Sequence, residues 1–316
     1  MLSKLIHPIG LIIAALAAST VQAQRADTQP VIDMHRHTPW PGDSDAEGIA
    51  LIRKEMSEHN VVAAALFITG REDVTHYVNS EEARFLLSPM FPCPALTKER
   101  KWCFVDSDTA LPDLIWLEEQ LAARKLGGLG ELVFNYAGLP PHDPAMAPVW
   151  ALAAKYDVPV FVHSGRGPFA GQGPRRHDGC CPQYNGELGN PGLLRAVLND
   201  YPALRVSLQH VGFDFLEETI ALMRDFPSVY VDMSVLNSLG PRGLHDAALR
   251  RLVEAGLSDR IMLGSDDQDL SVIKERIDGT DFLTPAQRRG IYYDNAAKFL
   301  RLDAATIASD YARLVE

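Results

Sequence analysis

From residue 31 onward, short apolar runs rich in β-branched residues alternate with stretches whose apolar positions recur at helical spacing. Residues 31–34 read as a strand, 45–59 as a helix, 61–68 as a strand and 80–87 as part of a helix. Further strands are expected at 102–105, 128–134, 158–162, 204–208, 229–232 and 260–264. Helical patterns follow them at 111–125, 144–156, 191–199, 213–224, 243–255 and from 270 onward. Eight strands alternating with eight helical stretches over roughly 290 residues are the arithmetic of an α/β protein of the (β/α)8 TIM barrel type, which needs about 250. Runs such as Val158-Pro159-Val160-Phe161-Val162 are apolar on both faces, as parallel strands covered by helices must be. A doubly wound open sheet shares this periodicity, but no G-x-G-x-x-G follows the first strand.

The first residues break the pattern. A charged start at 1–4, an apolar run at 5–18 and the small-residue sequence Val21-Gln22-Ala23 predict a secretory signal peptide cleaved after Ala23. The fully apolar part, 11–18, is shorter than the roughly 20 residues a membrane span needs. The expectation is one barrel domain over 24–316, periplasmic or secreted, with no stable membrane anchor. Removing the leader takes away one lysine and no acid, so the formal charge of −11 becomes −12. That acidic balance argues against nucleic acid, whose binding needs a basic stripe. Export permits disulfides among Cys93, Cys103, Cys180 and Cys181. Four cysteines allow three pairings, and a Cys93–Cys103 loop and cross-links to the later pair are equally consistent with the sequence. The spacing lacks C-x-x-C, which favours a structural role over zinc.

One connection is out of proportion: the Gly- and Pro-rich stretch between His163 and Pro191 far exceeds a strand-to-helix turn of about 2–6 residues. At this end of a barrel, such loops shape substrate pockets. Arg166 and Tyr184, with Arg175, Arg176 and His177, are its candidate substrate contacts, weighed against ordinary solvated loop charge.

The candidate chemistry lies at the strand ends. In "VIDMHRHTPW", strict alternation sends Asp33, His35 and His37 to one face and Arg36 to the other. An isolated H-x-H means little. Here, however, Glu131 stands in the fourth strand, His163 immediately follows the fifth, His210 follows the sixth and Asp266 follows the eighth. Asp232 and Ser234 end the seventh and are placed to face the pocket, whereas Asp267 is directed elsewhere and Asp294 and Asn295 suit a helix cap. Imidazoles with carboxylates and no thiolate suit one or two divalent ions, zinc first, with manganese, iron or nickel as alternatives. Such an ion lowers the pKa of bound water from about 15.7 toward 7, giving a hydroxide that attacks a carbonyl while Asp266 takes its proton. Ser164 lacks the G-x-S-x-G elbow of a serine hydrolase.

With "DMHRH", "GLGELVF", "VPVFVHSG", "LQHVG", "LGSDD" and the tail "IYYDNAAKFLRL", the chain from Val31 to about Leu302 resembles the amidohydrolase superfamily, in its amidohydrolase-related branch. The resemblance implies a distorted barrel in which His35, His37 and Asp266 hold a first metal. His163 would join that metal or hold a second one with His210, and Glu131 would bridge, since no lysine stands in its motif. With one metal, His210 would instead orient water or polarise substrate. The leading expectation is an exported hydrolase of a small-molecule lactone, ester or amide. The branch also contains metal-dependent non-oxidative decarboxylases of aromatic or unsaturated acids, and a non-catalytic binding protein is a third reading. Metal count, substrate and oligomeric state, a homo-oligomer included, stay open.

Overall fold

The computed structural model describes residues 29–38, 45–77, 84–94, 103–104, 109–167 and 181–314. The leader and its cleavage point, Arg175, Arg176, His177 and Cys180 lie outside the described residues. The elements run β1 (Val31–His37), α1 (Asp45–Glu58), β2 (Val61–Ile68), α2 (Asp73–His76), β3 (Arg84–Pro89), α3 (Leu114–Ala122) and β4 (Leu129–Leu132). After α4 (Phe134–Ala137) and α5 (Ala147–Lys155) come β5 (Val160–His163), α6 (Arg195–Asp200), β6 (Val206–Gln209), α7 (Leu216–Asp225), β7 (Val229–Asp232), α8 (Arg242–Glu254) and β8 (Ile261–Met262). The chain ends with α9 (Leu270–Asp278), α10 (Pro285–Arg289), α11 (Asn295–Leu300) and α12 (Ala304–Ala312).

All ladders are parallel, in two runs, β1-β2-β3 and β4-β5-β6-β7-β8. Backbone hydrogen bonds beyond the regular ladders join the two runs into a barrel. Phe91 N–H donates to Glu131 O (3.0 Å) and Val133 N–H to Phe91 O (2.9 Å). On the other side Met34 N–H donates to Leu263 O (2.9 Å) and Asp266 N–H to His35 O (2.7 Å). Both seams lie beside site residues. Among the described residues, the first short turn of helix after β5 is Gly186–Gly189; of the long connection expected after the fifth strand, 164–167 and 181–185 are described.

The third strand corrects the sequence reading. Residues 80–87 carry helix formers such as Glu81, Glu82 and Ala83, and no β-branched residue marks the stretch, yet Arg84–Pro89 is the strand. Pairing with β2 over six residues outweighs local preference. Of the strand expected at 102–105, the described Cys103 and Phe104 are not in a ladder; Cys103 is disulfide-bonded to Cys93. Cys181 is disulfide-bonded as well.

One buried cluster, with Ala64, Leu66, Val160 and Val206, packs strands against the helices, while a second, with Ala63, Ala65, Phe67, Phe161, Tyr230 and Met262, fills the barrel interior. Phe299 of α11 closes the bottom, 4.9 Å from the Tyr230 ring and 6.4 Å from Phe161. Below it, fully buried Asp310 accepts from both Arg84 guanidinium nitrogens (2.7 Å from one) and from the Tyr293 hydroxyl (2.7 Å), tying α12 to the start of β3. Breaking a buried pair costs about 3–5 kcal/mol. Because the Arg84 side chain retains 26% exposure, we expect Asp310→Ala to lower unfolding free energy in urea by about 2–3 kcal/mol. A loss under about 0.5 kcal/mol would show that this tie does not hold the barrel floor.

Candidate metal centre

The site begins with a β-bulge. Along β1, Ile32 pairs with Ala63 and Asp33 with Ala64, but the next partner of Leu66 is Arg36, so Met34 and His35 together stand opposite Ala65. The extra residue breaks period-two alternation. Asp33 and Arg36 register with the helix-facing residues Ala64 and Leu66, and His37 registers with the interior residue Phe67. Thus His35 and His37 reach the mouth, and Asp33 does not join them. Its carboxylate accepts from Ser265 N–H (2.9 Å), Ser265 Oγ–H (2.6 Å) and His35 N–H (3.2 Å), fastening β1 to the end of β8. Burial pushes the Asp33 carboxyl up to about 6 against the opposing charge of Arg36. Arg36 turns away, as its position predicted, to Glu55 at 2.5 Å.

Six side chains then converge. His35 Nε2 and His37 Nε2 are 3.3 Å apart, and Asp266 Oδ1 lies 3.3 and 3.1 Å from them. Glu131 Oε2 is 3.5 Å from His37 Nε2 and 3.9 Å from His35 Nε2. The other oxygen, Oε1, is 2.7 Å from His163 Nδ1 and 3.5 Å from His210 Nε2, which are themselves 3.2 Å apart. One carboxylate therefore divides its two oxygens between two donor sets. Donors about 2.1 Å from a tetrahedral ion stand about 3.4 Å from one another, the spacing of the first set, so the donors fit a divalent cation. The second set offers three donors and leaves room for further ligands. All six residues expected from the sequence are brought together.

Their delivery demands unusual backbone. His210 (φ 59°) and Asp266 (φ 50°) are left-handed although neither is glycine. Gly130 (φ 133°) brings Glu131 into place where a Cβ would stand 2.3 Å from Phe161 O, and a Cβ on Gly264 would meet His35 Cβ at 2.8 Å. Below the ligands, the Phe67 ring lies 5.3 and 5.4 Å from the rings of His35 and His37.

Electrostatics follow from three carboxylates among four imidazoles, of which His35 and His210 are buried and His37 and His163 half-buried. Burial alone would favour neutral groups, but Asp266, Asp232 and Glu131 push His35 up to about 10. His37 is raised in the same way by Asp266, against burial. Glu131 is driven well below the usual carboxylate range by His163, His210 and His35, despite its burial, and Asp266 is lowered by His35 and His37, despite its own. Burial lowers His163. A field that holds protons on imidazoles so firmly is one that a cation can answer in their place.

Two residues behind the ligands were named in the sequence only as strand-end candidates. Asp232 Oδ1 accepts from Ser234 Oγ–H (2.5 Å) and from the N–H groups of Ser234 (2.9 Å) and His210 (3.2 Å). Ser234 Oγ in turn lies 3.0 Å from His35 Nδ1 and 2.9 Å from His210 Nδ1. Asp267 Oδ1 accepts from His37 N–H (3.1 Å). Asn295 bonds the carbonyls of Ser258 and Ile261, a docking role.

The centre opens into a pocket of about 230 Å³ walled by Tyr136, Phe213, Val235 and Leu239, with His163, His210 and Asp266 at its base. Tyr136 was missed in the sequence; it sits just past β4, its ring 5.3 Å from His163, with its phenol raised by burial and by Glu131. Arg166 and Tyr184 stand outside this lining. Arg166 pairs with Glu187 (2.8 and 3.2 Å) over the Phe215 ring, and the Tyr184 hydroxyl donates to Arg166 O.

A sequence profile described as amidohydrolase matches residues 32–302. No curated protein matches the chain. Among solved structures, a TIM-barrel protein from Bordetella bronchiseptica aligns at 17% identity over 86% of this chain and 98% of its own (TM-score 0.59). A probable 2-pyrone-4,6-dicarboxylic acid hydrolase from Acinetobacter baumannii, with citric acid bound, aligns at 13% identity over 86% and 99% (TM-score 0.58). A 5-carboxyvanillate decarboxylase from Sphingomonas paucimobilis does so at 13% over 87% and 100% (TM-score 0.53).

Because His35 keeps its proton up to about pH 10 in the metal-free chain, a metal must displace it. The raised pKa stabilises the metal-free fold fully below about 6.5, and that contribution fades as pH rises toward about 10. Metal affinity runs the other way, strengthening about tenfold per pH unit for each proton expelled. Zinc affinity measured by chelator competition from pH 6 to 8 should rise by at least this slope; a flat profile would contradict the charge state assigned to His35.

Proposed function

Since the chain belongs to the amidohydrolase family, we propose that it is a metal-dependent hydrolase that uses two divalent ions, zinc first among them, to cleave a lactone, ester or amide-type bond of a small molecule. The observation that carries the reading is the division of Glu131 between two donor sets, Oε1 at 2.7 Å from His163 and Oε2 at 3.5 Å from His37. A site for one ion has no need of a carboxylate with both oxygens so engaged.

Divalent ions bound there supply Lewis acidity and a nucleophile drawn from water at neutral pH. His35, His37, Asp266 and Glu131 would hold one, and Glu131, His163 and His210 the other. Asp266 lines the pocket and retains 24% side-chain exposure, so it can accept the proton of the attacking water and return it to the leaving group. Tyr136, kept protonated, offers a hydrogen-bond donor beside His163 to a substrate carbonyl. Phe213, Val235 and Leu239 suit a substrate with an apolar or aromatic body. The Cys93–Cys103 disulfide supports export, because such bonds persist in oxidising compartments.

Elemental analysis of purified protein should return about two equivalents of transition metal per chain, and metal-replete protein should hydrolyse members of a lactone and ester panel. Asp266→Asn, assayed at saturating metal, should lower kcat by about 10²–10⁴-fold. One equivalent of metal, with carbon dioxide released from hydroxybenzoates and no hydrolysis, would replace this reading with decarboxylation, the activity named for the Sphingomonas paucimobilis neighbour.

A further inference from the structure

Ser234 stands at a junction between the two donor sets. It is fully buried, contributes no atom to either set, and lies just past β7, a strand that supplies no ligand. Its Oγ is 2.5 Å from Asp232 Oδ1, 3.0 Å from His35 Nδ1 and 2.9 Å from His210 Nδ1. A hydroxyl has one proton to give and two lone pairs to offer. Asp232 Oδ1 is a carboxylate oxygen already accepting two backbone N–H bonds, so the hydroxyl proton belongs to it. Both lone pairs then face imidazole nitrogens, and each contact is a hydrogen bond only when that Nδ1 carries the hydrogen. Asp232 Oδ2, at 3.4 Å from His35 Nδ1, is the more distant acceptor.

We propose that Ser234 is a positioning residue that fixes His35 and His210 in one tautomer, with hydrogen on Nδ1 and the Nε2 lone pair aimed inward, so that a single hydroxyl sets a ligand of each metal position. His35 Nε2 belongs to the set with His37 and Asp266, and His210 Nε2 to the set with His163. Groups that orient ligand histidines typically change metal affinity by about 10–100-fold when removed. In most such cases one acceptor serves one histidine; here the same oxygen serves two, so its loss weakens both positions together. The tautomer assignment needs only that these imidazoles bind metal. The joint effect rests on the two-ion reading above.

The ring spectrum of wild-type, zinc-loaded protein labelled with ¹⁵N-histidine tests the assignment without any variant. His35 and His210 should each show a slowly exchanging proton on Nδ1 and none on Nε2; protons on Nε2 of either would overturn the proposal. Ser234→Ala should then weaken zinc affinity about 10–100-fold at both positions in chelator competition. Ser234→Thr, which keeps the hydroxyl, should restore most of it. Thermal unfolding of the metal-free proteins serves as a control, since a merely structural role would lower that midpoint and leave zinc affinity intact. Ser234→Ala binding zinc with wild-type affinity would overturn the proposal. If wild type takes up only one equivalent, with Nδ1 protons still in place, the two-ion reading fails while the tautomer assignment stands.

Discussion

The buried carboxylate of Glu131 is the interaction on which the rest of the site depends. Each of its oxygens faces nitrogen atoms of two imidazoles, and the groups on its two sides come from β1, from the end of β5 and from the turn after β6. Without a cation or protons, this collection of lone pairs at 2.7–3.9 Å is repulsive. The barrel must therefore force together groups that would rather separate, and its construction around the mouth shows how it does so. Both seams that close the barrel pass through the ligands' own backbone, at Glu131 O and at His35 O, so closing the sheet and assembling the site are one event.

Local strain is concentrated at the same places. His210 and Asp266 adopt left-handed backbone, Gly130 and Gly264 admit approaches that a Cβ would block, and the bulge at Met34 and His35 re-aims β1. For His210 and Asp266 the left-handed backbone costs of order 1–3 kcal/mol each and persists only where the surroundings over-determine it. Here the surroundings are rigid: a floor of Phe67 and Phe161 beneath the ligands, and a bottom closed by Phe299 and the buried Arg84–Asp310 pair. Stability stored at the bottom of the barrel offsets strain spent at its mouth, where the candidate donor atoms are held 2.7–3.9 Å apart.

Much of this was legible in the sequence because it depends on spacing. β2 and β7 occupy the residues that their β-branched runs indicate, and the six candidate ligands stand at or just past strand ends, where a barrel collects side chains. What was not legible depends on tertiary context. Arg84–Pro89 has the composition of a helix or a loop, and only its pairing with β2 makes it a strand. Asp33 was expected beside His35 and His37 because alternation puts it there. A bulge of one residue leaves no mark in composition, and it sends Asp33 to Ser265 instead. Tyr136 and Ser234 carry no motif; they matter because β4 and β7 end beside residues distant in the chain.

Whether Glu131 joins two cations is decided by locating the metal directly. In a crystal of zinc-loaded protein, anomalous difference density at the zinc edge should show two peaks about 3.5–4 Å apart, one on each side of the Glu131 carboxylate. A single peak among His35, His37 and Asp266, with Glu131 turned away from it, would show that this carboxylate joins no pair of cations.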